Sequence, residues 1–161
     1  MSRPALTAGF TLFELAVVLA MAALLAGLTV PGFQRFSREL QLSRSANALL
    51  VALHQARGAA IARGVPVALH TSTDTGWRVI AEPPGSEELL SHTELPAGIL
   101  IQGNRSRVVF WPATRAGTTA TFTLCDAQHL AVPRAIIVSQ TGRPRAARAA
   151  ADGSALECID A

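Results

Sequence analysis

From Leu12 to Val30 the chain is apolar at nearly every position, and Glu14 is the one charge in that run. At about 1.5 Å of rise per residue, a helix of this length spans the hydrocarbon of a bilayer. Pro31-Gly32 follows, a pair that kinks or loosens a helix. Beyond it Leu42, Ala46, Leu49, Leu53, Ala56 and Ala60 recur at alternating steps of four and three. That is one helical face, which Leu50 and Ile61 widen. Arg38, Arg44, Ser45, Arg57 and Arg63 fall mostly off the stripe and read as solvated surface. Gly64-Val65-Pro66 stops the pattern. It predicts one long helix over about 11–63, apolar all round in its first half and amphipathic in its second.

The period then shortens. Val65 to His70 and Gly76 to Ile80 read as two strands joined by the turn-rich Ser72 to Thr75. Ile99 to Gln102, Arg107 to Trp111, Thr119 to Leu124 and Ala135 to Gln140 follow, each short and rich in β-branched or aromatic residues. Residues 82–98 carry Pro, Gly and Glu and read as a loop. The tail from Thr141 reads as irregular or as an edge strand. The class is α+β, one long helix packed on an antiparallel sheet.

Composition changes this picture in two places. The 161 residues carry a net charge of +3, a length suited to one compact domain plus an appendage. All 14 cations are arginine, which suits phosphate contacts, although a GC-rich genome also replaces lysine with arginine. The charge is unevenly spread: 134–148 hold Arg134, Arg143, Arg145 and Arg148 without an acid, whereas 82–94 hold four Glu and no Arg. Gly142 allows a sharp turn, and Pro144 limits the backbone between Arg143 and Arg145, so both can be presented at a set spacing. A few such contacts give weak, salt-sensitive binding to DNA without sequence preference. A solvated tail, or contacts to another protein, is the plainer reading of the same residues.

Cys125 and Cys158 lie too far apart for a CxxC motif. In an oxidising compartment a disulfide between them is expected; otherwise they are two buried thiols. His54, His70, His92 and His129 are scattered and lack ligand spacing, so neither a metal nor a cofactor is expected. Nucleophile-elbow and nucleotide-loop motifs are missing as well. Glu87 and Glu88 read as solvated charges, and Asp74 and Asp126 as residues that cap or bend the chain at turns. An enzyme is not expected.

Glu14 needs a reason to stand at the edge of a membrane-length run. A secretory signal peptide would need a cleavage site that the sequence does not offer. A plain single-pass anchor leaves the charge unexplained unless it sits at the interface. A third reading accounts for it. Gly9-Phe10-Thr11-Leu12-Phe13-Glu14, the apolar run and Val30-Pro31-Gly32-Phe33 resemble the N-terminus of type IV pilins and type II secretion pseudopilins. The resemblance implies a leader, residues 1–9, removed by prepilin peptidase between Gly9 and Phe10. Phe10 then becomes the N-methylated first residue. Glu14, fifth in the mature chain, pairs with the freed amine of a neighbouring subunit. Residues 10–31 would cross the inner membrane once and enter the core of a pilus or pseudopilus beside major and minor pilins. Residues 32–161, including the second half of the helix, would form the globular domain in the periplasm or outside the cell.

Val108-Val109-Phe110, Phe122 to Cys125 and Arg134 to Arg143 further resemble the FimT/GspH group of minor pilins and pseudopilins. Gly142-Arg143-Pro144-Arg145 resembles the DNA-binding motif of FimT-type pilins that serve natural transformation. The resemblance implies a minor pilin that contacts double-stranded DNA through Arg143 and Arg145, with Arg134, Gly142 and Arg148 beside them. Two further readings stand next to it: a structural pseudopilin of a type II secretion system or assembly-priming subunit, and a monomeric anchored protein.

Overall fold

The computed structural model describes residues 11–112, 118–150 and 152–158. Gly9 and Phe10, the expected cleavage site, lie outside the described residues. The chain divides into two units, the second beginning at Phe36.

Helix α1 runs from Leu12 to Arg63, so the helical assignment continues through Pro31-Gly32. In the first unit its side chains from Leu12 to Gly27 are all exposed, including Leu12, Phe13, Leu15 and Leu24. By length and composition this segment can cross a membrane.

In the second unit Leu42, Ala46, Leu49, Leu53, Ala56 and Ala60 are all buried, as the stripe predicts. Four helical residues depart from that reading; one is Arg38, half-buried, whose Nη1 donates to the Ala97 carbonyl at 2.9 Å. Ile61 does not widen the stripe: it lies one residue, about 100° of turn, past Ala60 and is 62 % exposed. Ser45, four residues before Leu49, is on the stripe and buried. Arg57 is half-buried rather than solvated.

Among the described residues eight strands follow: β1 (Val67–Ser72), β2 (Gly76–Ala81), β3 (Glu88–Glu94), β4 (Ile99–Gly103), β5 (Arg107–Phe110), β6 (Ala120–Asp126), β7 (Arg134–Val138) and β8 (Pro144–Ala147). They form two four-stranded antiparallel sheets instead of the single sheet expected. The first has the order β3-β2-β1-β5 and the second β4-β6-β7-β8. Side chains alternate across each strand. Val67 and Leu69 of β1, Val108 and Phe110 of β5, Phe122 and Leu124 of β6, and Ile136 and Val138 of β7 join the helical stripe in one core.

Strand β3 corrects the loop expected over 82–98. None of its side chains is buried, so no apolar alternation marked it. Its backbone ladder to β2 holds it in place, with a register shift between Val79 and Ile80. Gly76 is required where this pair begins. Its φ is +120°, and a Cβ there would lie 2.1 Å from the Thr93 carbonyl oxygen. Asp126 caps a turn, as its surroundings predict, and it does so as a buried side chain. Its Oδ2 accepts from the Leu130 N–H at 2.9 Å and closes the turn after β6.

Candidate nucleic-acid interface

Strands β7 and β8 pair antiparallel, from Val138 opposite Pro144 to Ala135 opposite Ala147. Residues 139–143 connect them. Gly142 takes φ +66°, and its N–H donates to the Ser139 carbonyl at 2.8 Å. The Ser139 N–H donates to the Arg143 carbonyl at 3.2 Å, and Ser139 Oγ lies 2.9 Å from Thr141 Oγ1. Positive φ favours glycine at position 142, and Ser139 ties both ends of the turn.

Pro144 is buried, whereas Arg143 and Arg145 are exposed. Pro144 lies opposite core-facing Val138, so alternation directs Arg145 to the outer face of the second sheet, with Arg143 exposed in the turn just before it. Arg148 follows the strand and is also exposed. Among the described residues none of these three side chains has a hydrogen-bond or ion-pair partner. Arg134 differs. It begins β7 at the far end of the hairpin, and its Nη2 lies 3.3 Å from Glu39 Oε1. The structure thus exposes Arg143 and Arg145 on either side of Pro144, sets Arg148 beyond them, and engages Arg134 with the helix.

Nothing in the sequence around Arg57 marks its role. Arg57 Nη1 donates to the Gly142 carbonyl at 3.2 Å and ties the turn to α1.

The tail after β8 is held over the same sheet. Cys125 and Cys158 are joined by a disulfide. Cys125 lies between Leu124, which is in the core, and Asp126; it is buried yet outside the core cluster, on the outward side of β6. On the tail, Asp152 accepts from the Ser154 N–H at 3.0 Å and the Ser154 hydroxyl at 2.7 Å. The backbone donor, then the hydroxyl, holds this carboxyl below its ordinary pKa.

At the other end of the described chain, Thr11 and Glu14 form a capping box. Glu14 Oε2 accepts from the Thr11 N–H and hydroxyl, both at 3.0 Å, and the Glu14 N–H donates to Thr11 Oγ1 at 3.2 Å. Among the described residues no group of His, Cys, Asp and Glu is arranged to hold a metal ion.

A family model described as Type II transport protein GspH matches residues 45–142. The chain belongs to the GspH family. The matched span runs from Ser45 on the amphipathic half of α1 to Gly142 in the hairpin turn, so Arg143 and Arg145 fall just beyond it. No curated protein matches this GspH-family chain by sequence. Among solved structures it is similar to the type IV minor pilin FimU of Pseudomonas aeruginosa. That likeness has a TM-score of 0.56 and 19% identity, covering 68% of this chain and 90% of FimU. It is also similar to the minor pseudopilin EpsH from the type 2 secretion system of Vibrio cholerae. Here the TM-score is 0.58 and identity 12%, over 66% of this chain and 96% of EpsH. These likenesses establish the pilin fold, a long N-terminal helix packed on antiparallel sheets. Family and fold are those of pilin and pseudopilin subunits. The apolar start of α1 fits membrane anchoring and incorporation into a filament.

Proposed function

We propose that this GspH-family chain is a minor pilin that binds DNA for uptake in natural transformation through the β7–β8 hairpin. The observation that carries this reading is the pair Arg143 and Arg145, unpartnered and exposed on either side of buried Pro144. Guanidinium groups match phosphate oxygens, and contacts to the backbone carry little sequence preference. Arg148 extends the contact, and Gly142 supplies the turn. Arg134 contributes less, because Glu39 already offsets its charge. The test is a titration of the detergent-solubilised full chain with duplex DNA at several salt concentrations, beside Arg143→Ala/Arg145→Ala. Loss of two phosphate contacts lowers the slope of log affinity against log salt by about 1.8. Equal slopes and affinities for both proteins would reject the hairpin as the contact.

The same reading includes processing. Prepilin peptidase removes residues 1–9 after Gly9, and Phe10 is N-methylated. In the filament Glu14 exchanges its local Thr11 donors for the amine of an adjacent subunit. The protein crosses the inner membrane once, its globular unit faces the periplasm, and its partners are major and minor pilins. Mass spectrometry of protein from membranes that contain the peptidase is expected to show a chain starting at methylated Phe10; an intact Met1 start would instead support a simple anchored protein. The family description and the likeness to EpsH favour a second reading, a structural pseudopilin of type II secretion that binds no DNA. Loss of secretion on deletion, with DNA uptake intact, would select it.

A further inference from the structure

A second basic feature lies away from the hairpin, on the first sheet. Registers set His92 of β3 opposite Arg78 of β2, Arg78 opposite His70 of β1, and His70 opposite Arg107 of β5. Directly opposed residues share a face. Their strand neighbours Val79, Leu69 and Val108 point into the core, so this row faces outward. With strands about 4.8 Å apart, it is about 14 Å long.

Members of the row are not equally available. Arg107 Nη2 contacts both carboxylate oxygens of Glu82, at 2.5 and 2.6 Å, so its charge is already matched. Arg78 is exposed and, among the described residues, has no hydrogen-bond or ion-pair partner. On either side of it stand two imidazoles. His92 is exposed, with Glu94 two residues further along β3. His70 is half-buried and 4.0 Å from Glu82. Burial first, then Arg107 and Arg78, lower the His70 pKa against the opposing pull of Glu82 and Glu87. A groove of about 380 Å³ opens here, lined by Arg78, His70 and His92, with Ser72 and Thr75 at one end and Leu89 at the other.

We propose that this groove binds a phosphate group, with Arg78 as its charged anchor and His70 and His92 as flanking donors. The guanidinium offers a planar fork to two oxygens. Neutral imidazoles donate one N–H each and take a second proton when an anion is present. The hydroxyls of Ser72 and Thr75 add donors from another direction, and no carboxylate lines the groove. Donors converging from three strands and a turn suit a tetrahedral oxyanion better than a planar one. The proposal stands apart from the hairpin reading, because Arg78 is on the first sheet and Arg145 on the second. The phosphate comes either from a free phosphate or from a DNA backbone, and the experiment separates the two.

The full chain, in detergent, is titrated with inorganic phosphate at pH 6.5 while its four histidines are followed by NMR. Potassium chloride at equal ionic strength is the control. Saturable shifts of His70 and His92, with raised pKa values for both, are expected, while His54 and His129 stay still. Arg78→Gln alters an exposed, unpartnered side chain; it is expected to keep the melting temperature and to weaken phosphate binding at least about tenfold. Shifts that chloride reproduces, or that persist in Arg78→Gln, overturn the proposal, as does the lack of any saturable shift. Duplex titration then identifies the source. If Arg78→Gln weakens duplex binding as well, the groove takes a backbone phosphate. If only phosphate binding falls, the ligand is a free phosphate. Arg143→Ala/Arg145→Ala is expected to leave the phosphate titration unchanged, so failure of the hairpin reading shows separately.

Discussion

Glu14 and His70 show how much a single environment settles. As a bare letter in an apolar run, Glu14 is an unpaired charge. In the folded chain Thr11 supplies two donors to its carboxylate, and both residues close the start of α1. The Thr-x-x-Glu spacing is a capping signature visible in the sequence, carried by the same residues that resemble the filament motif. For His70 the sign of the pH effect follows from its lowered pKa. The unfolded chain, with an ordinary value near 6.5, binds the proton first as pH falls. The contribution of neutral His70 is therefore fully present above about pH 6.5 and is lost as pH drops through the lowered folded value. Denaturant midpoints measured from pH 7.5 to 5 are expected to fall less steeply for His70→Asn than for the parent chain.

Between elements, the contact that matters most to the hairpin is Arg57 on α1. Truncating Arg57→Ala removes a charged donor from the Gly142 carbonyl and is expected to cost about 1–2 kcal/mol in denaturant unfolding. Duplex affinity is expected to fall with the salt slope unchanged, because the turn loosens while the phosphate contacts remain the same in number. A lower slope would make Arg57 itself a phosphate contact. Elements were legible wherever burial was periodic. The stripe from Leu42 to Ala60 and the alternation in β1, β5, β6 and β7 each place apolar residues on one side. By contrast β3 has no fully buried side chain; Leu90 is only partly buried against the core, and one such contact leaves no pattern to read. Boundaries moved by one or two residues, as at Val67–Ser72 for the expected 65–70.

At the scale of the whole chain, the long-range choices were the ones least visible beforehand. Nothing local distinguishes one sheet from two, because Ile99–Gly103 pairs with Ala120–Asp126 rather than with the strand before it. For the same reason the Arg57–Gly142 contact, across 85 positions, had no local signature. The cysteine pair was easier, since only one intrachain pairing was available. Its loop of 33 residues restrains the unfolded chain by about 3–4 kcal/mol in the entropy account. Reduction, or Cys125→Ala/Cys158→Ala, is expected to lower the unfolding free energy of the second unit by that amount, as read from denaturant curves with and without reductant. Strand β8 is an outer strand of its sheet, and an open strand edge invites the backbone of another chain to pair with it. Pro144 removes a donor from that edge, and Arg145 adds a charge beside it, both of which discourage such pairing. The residues read as holding DNA therefore also guard the protein against fibril-like aggregation along this edge.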